Sequence, residues 1–295
     1  MPTVKYSDFD LSKLSFSTPE ENKTIPEITK YQLMSLPIYS VTKDGTTETS
    51  MPTIQGPWMN LDNYGITGKT DKNGKPRLNN AGLPLSDRER GKVKIPFNLD
   101  DPNSQALYDL LTSIDKKCES EKEQLFGDKK KASAYRYQPI VRQPALNPDA
   151  PDDAQPRPDY FVIKFDFDNK TGCVKSQVYL NDDGERTEVD VKSLDDVTQH
   201  LRYKCEFRPI FTLCKLFASR SAQDGKRSYG VGLKLKMVEV KPMQKTKEDT
   251  ETFFIDTDDE GEVERKTLVA QTTKTVEETP KKTPAKTKAG KNTIV

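Results

Sequence analysis

The chain of 295 residues is poor in the side chains on which most metal and nucleophilic chemistry depends, with one histidine, one tryptophan and four cysteines. Cys118, Cys173, Cys205 and Cys214 form no C-x-x-C pair, so a zinc site would need distant thiolates converging without the usual spacing. Without a secretory leader, four cysteines in a long chain read as reduced, buried thiols and not as a disulfide framework. The single imidazole, His200, falls in SLDDVTQHL, the last turn of an expected short helix, where histidine serves as a helix-end cation more often than as a general base. The sequence has no G-x-x-x-x-G-K-[ST], no G-x-G-x-x-G after a strand and no G-x-S-x-G. Apolar runs stop after a few residues, short of the ~20 a membrane span needs, and MPTVKYSDFD has neither part of a secretory signal. These absences point to an intracellular protein that binds and does not catalyse, with no metal, no cofactor and no membrane contact.

What is present is charge, and it is segregated. Charged residues make up 32% of the chain and hydrophobic ones 33%, so part of the chain is expected to be disordered. Between Glu248 and Glu264 there are nine carboxylates and no cation, while the remainder to Val295 carries eight cations and two carboxylates. Residues 1–247 are mildly basic. The expected organisation is a loop-rich N-terminal extension over 1–91 packing on the core, a core over 92–241, and a disordered acidic-then-basic tail over 242–295. Within the extension, residues 42–91 read as loops around short extended pieces, with turn signals such as KDG, QGP and KNGKP. Trp58, Tyr64, Tyr31 and Tyr39 read there as anchors more readily than as stacking platforms. IPFNL at 95–99 reads as a strand. DDPNSQALYDLLTSIDKKCESEKEQLF predicts the best helix, with Asp101 as N-cap, Pro102 at its first position, and Leu107, Leu110, Leu111 and Ile114 on one face. NPDAPDDAQPRP at 147–158 reads as a surface loop or hinge.

Residues 160–241 carry the clearest pattern. YFVIKFDF, CVKSQVYL and ERTEVDV predict three strands joined by turns, Ser193 and Asp196 start a capped helix, and YKCEFRPIFTLCKLFAS and SYGVGLKLKMVEVK predict two longer strands. Strand, strand, strand, helix, strand, strand is the order of an OB-fold, and an open α+β sheet satisfies the same spacing. The fold class is therefore mainly β with a few helices, read as an OB-fold-like five-stranded Greek-key barrel. Alternation puts Tyr160, Lys164, Lys175, Gln177, Tyr179, Lys234 and Lys236 outward, with Tyr229 inward and Gly230 and Gly232 leaving room for a close approach. Pro209 breaks the register of the fourth strand and leaves the facing of Lys204, Arg208, Lys215 and Phe217 open. Cations with interspersed rings suit single-stranded nucleic acid, whose phosphates meet the cations and whose bases stack. The bland alternative is the solvated face of a half-buried sheet.

YRYQPIVRQP at 135–144, YFVIKFDF, VDVKSLDDVTQHLRYKCEFRPIFTLCKLFAS and SYGVGLKLKMVEVKP together resemble the single-stranded DNA-binding proteins of large nucleocytoplasmic DNA viruses, which are related in fold to the phage-type proteins. The resemblance covers about residues 90–241. It implies an OB-fold that coats single strands during viral DNA replication, recombination and repair, in the host cytoplasm or nucleus. It also implies a nucleic-acid site at Tyr135, Arg136, Tyr137, Arg142, Lys215, Phe217, Tyr229, Lys234 and Lys236. Single-stranded DNA is the expected partner. Many such proteins carry an acidic tail that visits the groove and recruits replication proteins; Phe253 and Phe254, with Asp256, Asp258 and Asp259, are the matching candidates here. In this chain a cationic arm follows the acidic block, and a solubilising disordered tract is an equal alternative reading of it. A virion scaffold protein and a non-catalytic subunit of a replication enzyme are the competing functions.

Overall fold

A computed structural model describes residues 3–22, 33–71, 73–144 and 156–242. The tail with Phe253, Phe254, Asp256, Asp258 and Asp259, together with Tyr31 and most of the 147–158 loop, lies outside the described residues. In chain order the strands are β1 (Thr3–Lys5), β2 (Leu14–Phe16), β3 (Glu20–Glu21), β4 (Leu33–Ser35), β5 (Pro37–Lys43), β6 (Thr46–Ser50), β7 (Thr53–Gln55) and β8 (Met59–Asn60). There follow β9 (Gly65–Ile66), β10 (Lys92–Pro96), β11 (Tyr135–Tyr137), β12 (Tyr160–Phe165), β13 (Gln177–Asp182), β14 (Glu185–Val189), β15 (Glu206–Gln223) and β16 (Lys226–Val240).

The spine is the long antiparallel ribbon of β15 and β16, paired from Phe207↔Val240 to Gln223↔Lys226. Asp224 and Gly225 close it with φ of 52° and 73°, the left-handed pair a two-residue hairpin needs to match the twist of its strands. The same Asp-Gly chemistry joins β5 to β6 and β13 to β14. The other edge of β16 takes three strands in parallel and in succession: β11 at 227–229, β12 at 234–235 and β13 at 237–240. The other edge of β15 takes β4, β7 and β8 antiparallel. Beyond β12 the sheet continues through β10 to β9.

The protein is mainly β, and β12, β13, β14, the helix Leu194–His200, β15 and β16 follow in the expected order. Two features differ from the expectation. The three middle strands are not a meander, because β12 and β13 do not pair with each other: the segments after β12 and before β13 meet in the isolated bridge Phe167↔Val174, and each strand joins β16. The main path, β1-β7-β15-β16-β12-β10-β9, has two ends, so no closed barrel is found among the described residues. The physical reason is the length of β16, whose 15 residues offer enough edge for short strands to add side by side. Residues 42–60, read as loops around short extended pieces, contain the turn and second strand of the β5–β6 hairpin and two short strands that pair with β15. The strand expected at 95–99 lies three residues earlier, as β10.

The helix Pro102–Ser120 forms as its sequence predicts, with the Asp101 carboxylate accepting from Asn103 N–H. Leu107, Leu111, Ile114 and Cys118 lie on one stripe and are fully buried, while Leu110 packs at the edge. Ser193 and Asp196 complete a reciprocal capping box at the second predicted helix. Burial pushes the Cys118 thiol up to about 12 and the Cys205 thiol up to about 11, while Cys173 and Cys214 are partly exposed. A thiol reagent at pH 8 is therefore expected to titrate no more than Cys173 and Cys214 in the native protein, and all four cysteines in denaturant. Four reactive thiols in the native protein would contradict this packing.

Candidate nucleic-acid interface

Lys92 and Lys94 point outward from β10 because Val93 and Ile95 point into the core, where both are buried. Antiparallel pairing sets Lys92 directly opposite Lys164 on β12, where Phe161, Ile163 and Phe165 fill the inner face. Lys164 in turn neighbours Lys234 on β16, and two residues back Gly232 faces Lys215 on β15. Arg142 reaches this group through a bridge to Tyr160, with mutual backbone hydrogen bonds of 2.8 and 2.9 Å. Lys92, Lys164, Lys215 and Arg142 are thus brought together from four separate segments.

The crowding is electrostatically unfavourable. The Lys164 ammonium is held below its ordinary pKa, first by desolvation and then by Lys92, with Lys215 and Arg142 adding to the effect and Cys214 opposing it. Like charges placed directly opposite across a ladder destabilise it. Among the described residues no carboxylate forms an ion pair with any of these four cations. Such an arrangement becomes favourable when a polyanion is laid across it.

The other predicted cations are engaged locally. Lys234 and Lys236 share Asp166, at 3.1 and 3.4 Å. Lys175 lies in the connection before β13, 3.9 Å from Asp168. Arg208 is bound to the buried Glu239, which also accepts from Asn181 and Arg186. Burial alone raises the Glu239 carboxyl, and the bonds from Arg208, Asn181 and Arg186 more than offset this and hold it below its ordinary value. Tyr179 donates to Glu188 at 3.1 Å. Lys204 is exposed in a left-handed conformation, φ 66°, in the turn between the helix Leu194–His200 and β15.

Tyr135, Tyr137 and Tyr229, three of the tyrosines expected at the interface, are packed in or against the core. Tyr135 stacks on Phe126 at 3.9 Å, and Tyr229, fully buried, packs edge-on to Phe126 and against Tyr137 at 5.1 Å. Tyr137 donates to the buried Asp115 at 2.6 Å. Only Arg136 points out of β11, because alternation turns Tyr137 toward Asp115 on the long helix and Tyr135 toward Phe126. Asp115 also accepts from Ile140 N–H at 2.8 Å and Val141 N–H at 3.2 Å, so it pins to the helix the segment that carries Arg142. Burial raises the Asp115 carboxyl, opposed by these hydrogen bonds. Gly230 does leave room for a close approach, but the visitor is this same segment: a Cβ there would lie 2.7 Å from the Gln138 carbonyl oxygen. At Gly232 the space is taken by Cys214 Sγ.

Two rings border the cationic face. Phe217 is half-buried between Gly230 and Met34 in the ladder. Tyr160, half-buried, lies under Lys94 Nζ at 5.3 Å and against Tyr64 at 4.8 Å. The Tyr64 hydroxyl donates to Pro158 O, which makes it an anchor for its loop. Sequence reasoning missed Lys92 and Lys94; the alternation in KVKIP was the available signal, but no local pattern shows that this strand lands on Lys164.

No family model matches the chain. A curated relative, the uncharacterized protein R505 of Acanthamoeba polyphaga mimivirus, is 22% identical over 204 residues, which is 61% of this chain and 50% of that protein. The chain therefore spans about half the length of that relative. Among solved structures, the crystal structure of gp2.5, a single-stranded DNA binding protein encoded by bacteriophage T7, overlaps 73% of this chain and 100% of its own. The TM-score is 0.34 and the identity 14%, a distant likeness.

Proposed function

We propose that this chain binds single-stranded DNA, without reading its sequence, across the outer face of β10, β12, β16 and β15. The observation that carries the reading is the uncompensated crowding of Lys92, Lys164, Lys215 and Arg142. A fold keeps like charges opposed where a ligand supplies the missing counter-charge, and phosphates spaced along a strand match cations spaced along adjacent β-strands. The half-open rings of Tyr160 and Phe217 beside those cations favour a single strand over a duplex, because only unpaired bases present their faces. The role is non-enzymatic: coating and protecting single strands in viral DNA replication, recombination and repair, as the sequence resemblance implies. Lys234 and Lys236 join the site when a phosphate displaces Asp166.

Fluorescence anisotropy with labelled oligo(dT) and a hairpin duplex, over a series of salt concentrations, tests this. Tighter binding of the single strand is expected, with log K falling against log salt by about 0.7 per phosphate contact, roughly −3 for four contacts. Equal affinity for the duplex, or no salt slope, overturns the reading and favours a scaffold role.

A further inference from the structure

Trp58, the single tryptophan of the chain, is only partly buried and stands between two hollows of about 300 and 580 Å³. The Arg208 guanidinium lies 4.9 Å and the Lys241 ammonium 4.8 Å from its ring centre. These cations are tied to Glu239 and Glu206, so they hold the indole in place more than they offer charge to a phosphate. The indole N–H has no acceptor among the described residues. Tyr203, the neighbour in sequence of Lys204, is 59% exposed, the one aromatic among the described large hydrophobic side chains that stand in solvent. Lys204 Nζ is 5.8 Å from the Tyr203 ring and lines the larger hollow together with Trp58. Lys204 N–H donates to Leu61 O at 2.8 Å, which ties the Tyr203 turn to the segment that carries Trp58.

We infer that Trp58 and Tyr203 form a second, base-stacking contact for the same nucleic-acid strand; the inference rests on the single-strand reading above. The larger hollow sets Lys204 and Lys241 against Asp182, Asp183 and Glu206, so its charge is close to balanced and it does not attract a phosphate. A planar, uncharged group with a π-face fits it, and a nucleobase is such a group. The site also lies on a path from the cationic face. Ile210 and Met237 pair on the outer side between Lys234 and the Arg208–Glu239 pair. From Lys234 to Val240 the strand covers roughly 20 Å. A strand leaving Lys164 and Lys234 along β16 reaches Trp58 next.

The test uses the full chain and oligo(dT), following Trp58 emission and the anisotropy of labelled DNA in parallel. Trp58 emission is expected to be quenched with the same midpoint as the anisotropy. Tyr203→Ala, at an exposed position, is expected to leave the thermal midpoint unchanged and to weaken binding about fivefold or more. Trp58→Ala is expected to weaken binding about fivefold or more, and Trp58→Phe, which keeps a smaller ring, is expected to fall between Trp58→Ala and the parent. If anisotropy reports binding while Trp58 emission stays constant, or while Tyr203→Ala binds as the parent does, the stacking contact is wrong and the single-strand reading stands. If anisotropy reports no binding at all, the single-strand reading fails and this contact with it.

Discussion

Changing Lys92 and Lys164 together to glutamate is expected to weaken oligo(dT) binding about 25-fold or more at 0.1 M salt and to flatten the salt slope by about 1.4, since each phosphate contact contributes about 0.7. Both side chains are exposed, so the fold is expected to survive: the two carboxylates still face each other across the ladder, but Lys215 and Arg142 beside them change from like to opposite charges. Lys234→Glu with Lys236→Glu is expected to have a smaller effect, because Asp166 already holds both ammonium groups. An equal loss from the two pairs would place the phosphates elsewhere on the sheet. The same cluster sets a pH dependence. Lys164 is held below the ordinary lysine value in the free protein, and bound phosphates favour its charged form. Binding therefore takes up a proton once the pH exceeds that lowered value, and affinity falls as pH rises through it. Lys164→Arg, charged at all accessible pH, is expected to remove this fall, and an unchanged pH profile in that variant would assign the titration to another group.

Replacing Asp115 by alanine is the second large effect expected. The Ile140 and Val141 N–H groups and the Tyr137 hydroxyl lose their shared acceptor in a buried setting. Each orphaned donor costs about 1–3 kcal/mol, so a loss of at least ~3 kcal/mol of folding stability is expected in urea titrations. Asp115→Asn, which keeps one acceptor oxygen, is expected to fall between the parent and the alanine variant. DNA affinity should fall with it under folding conditions, since the segment released is the one that presents Arg142. A urea midpoint unchanged in Asp115→Ala would mean that the segment is held by Tyr135 and Ile140 packing alone.

Much of the architecture was legible where local chemistry decides it. Asp-Gly at 44–45, 183–184 and 224–225 forces left-handed turns, and each closes a hairpin. Asp101 and Ser193 start helices because a short acceptor side chain answers the free N–H groups there. Alternation in YFVIKF sorted its core side from its outer side. The site was legible only in part. Lys164 and Arg142 do meet, but Tyr135, Tyr137 and Tyr229 are consumed by the core under the long helix, a partner that no pattern within YRYQP or SYGVG reveals.

The sequence by itself determined the mainly β character, the hairpin turns, the helix starts and the cationic outer alternation, because each follows from interactions within a few residues. The tertiary structure decided that β12 and β13 add in parallel to one edge of β16 and that the path stays open. It also decided that Lys92 faces Lys164 across 72 residues of chain. Strand pairing sums backbone hydrogen bonds and buried faces over the whole sheet, so neighbours across a ladder follow from long-range register and are not written in the period of either strand.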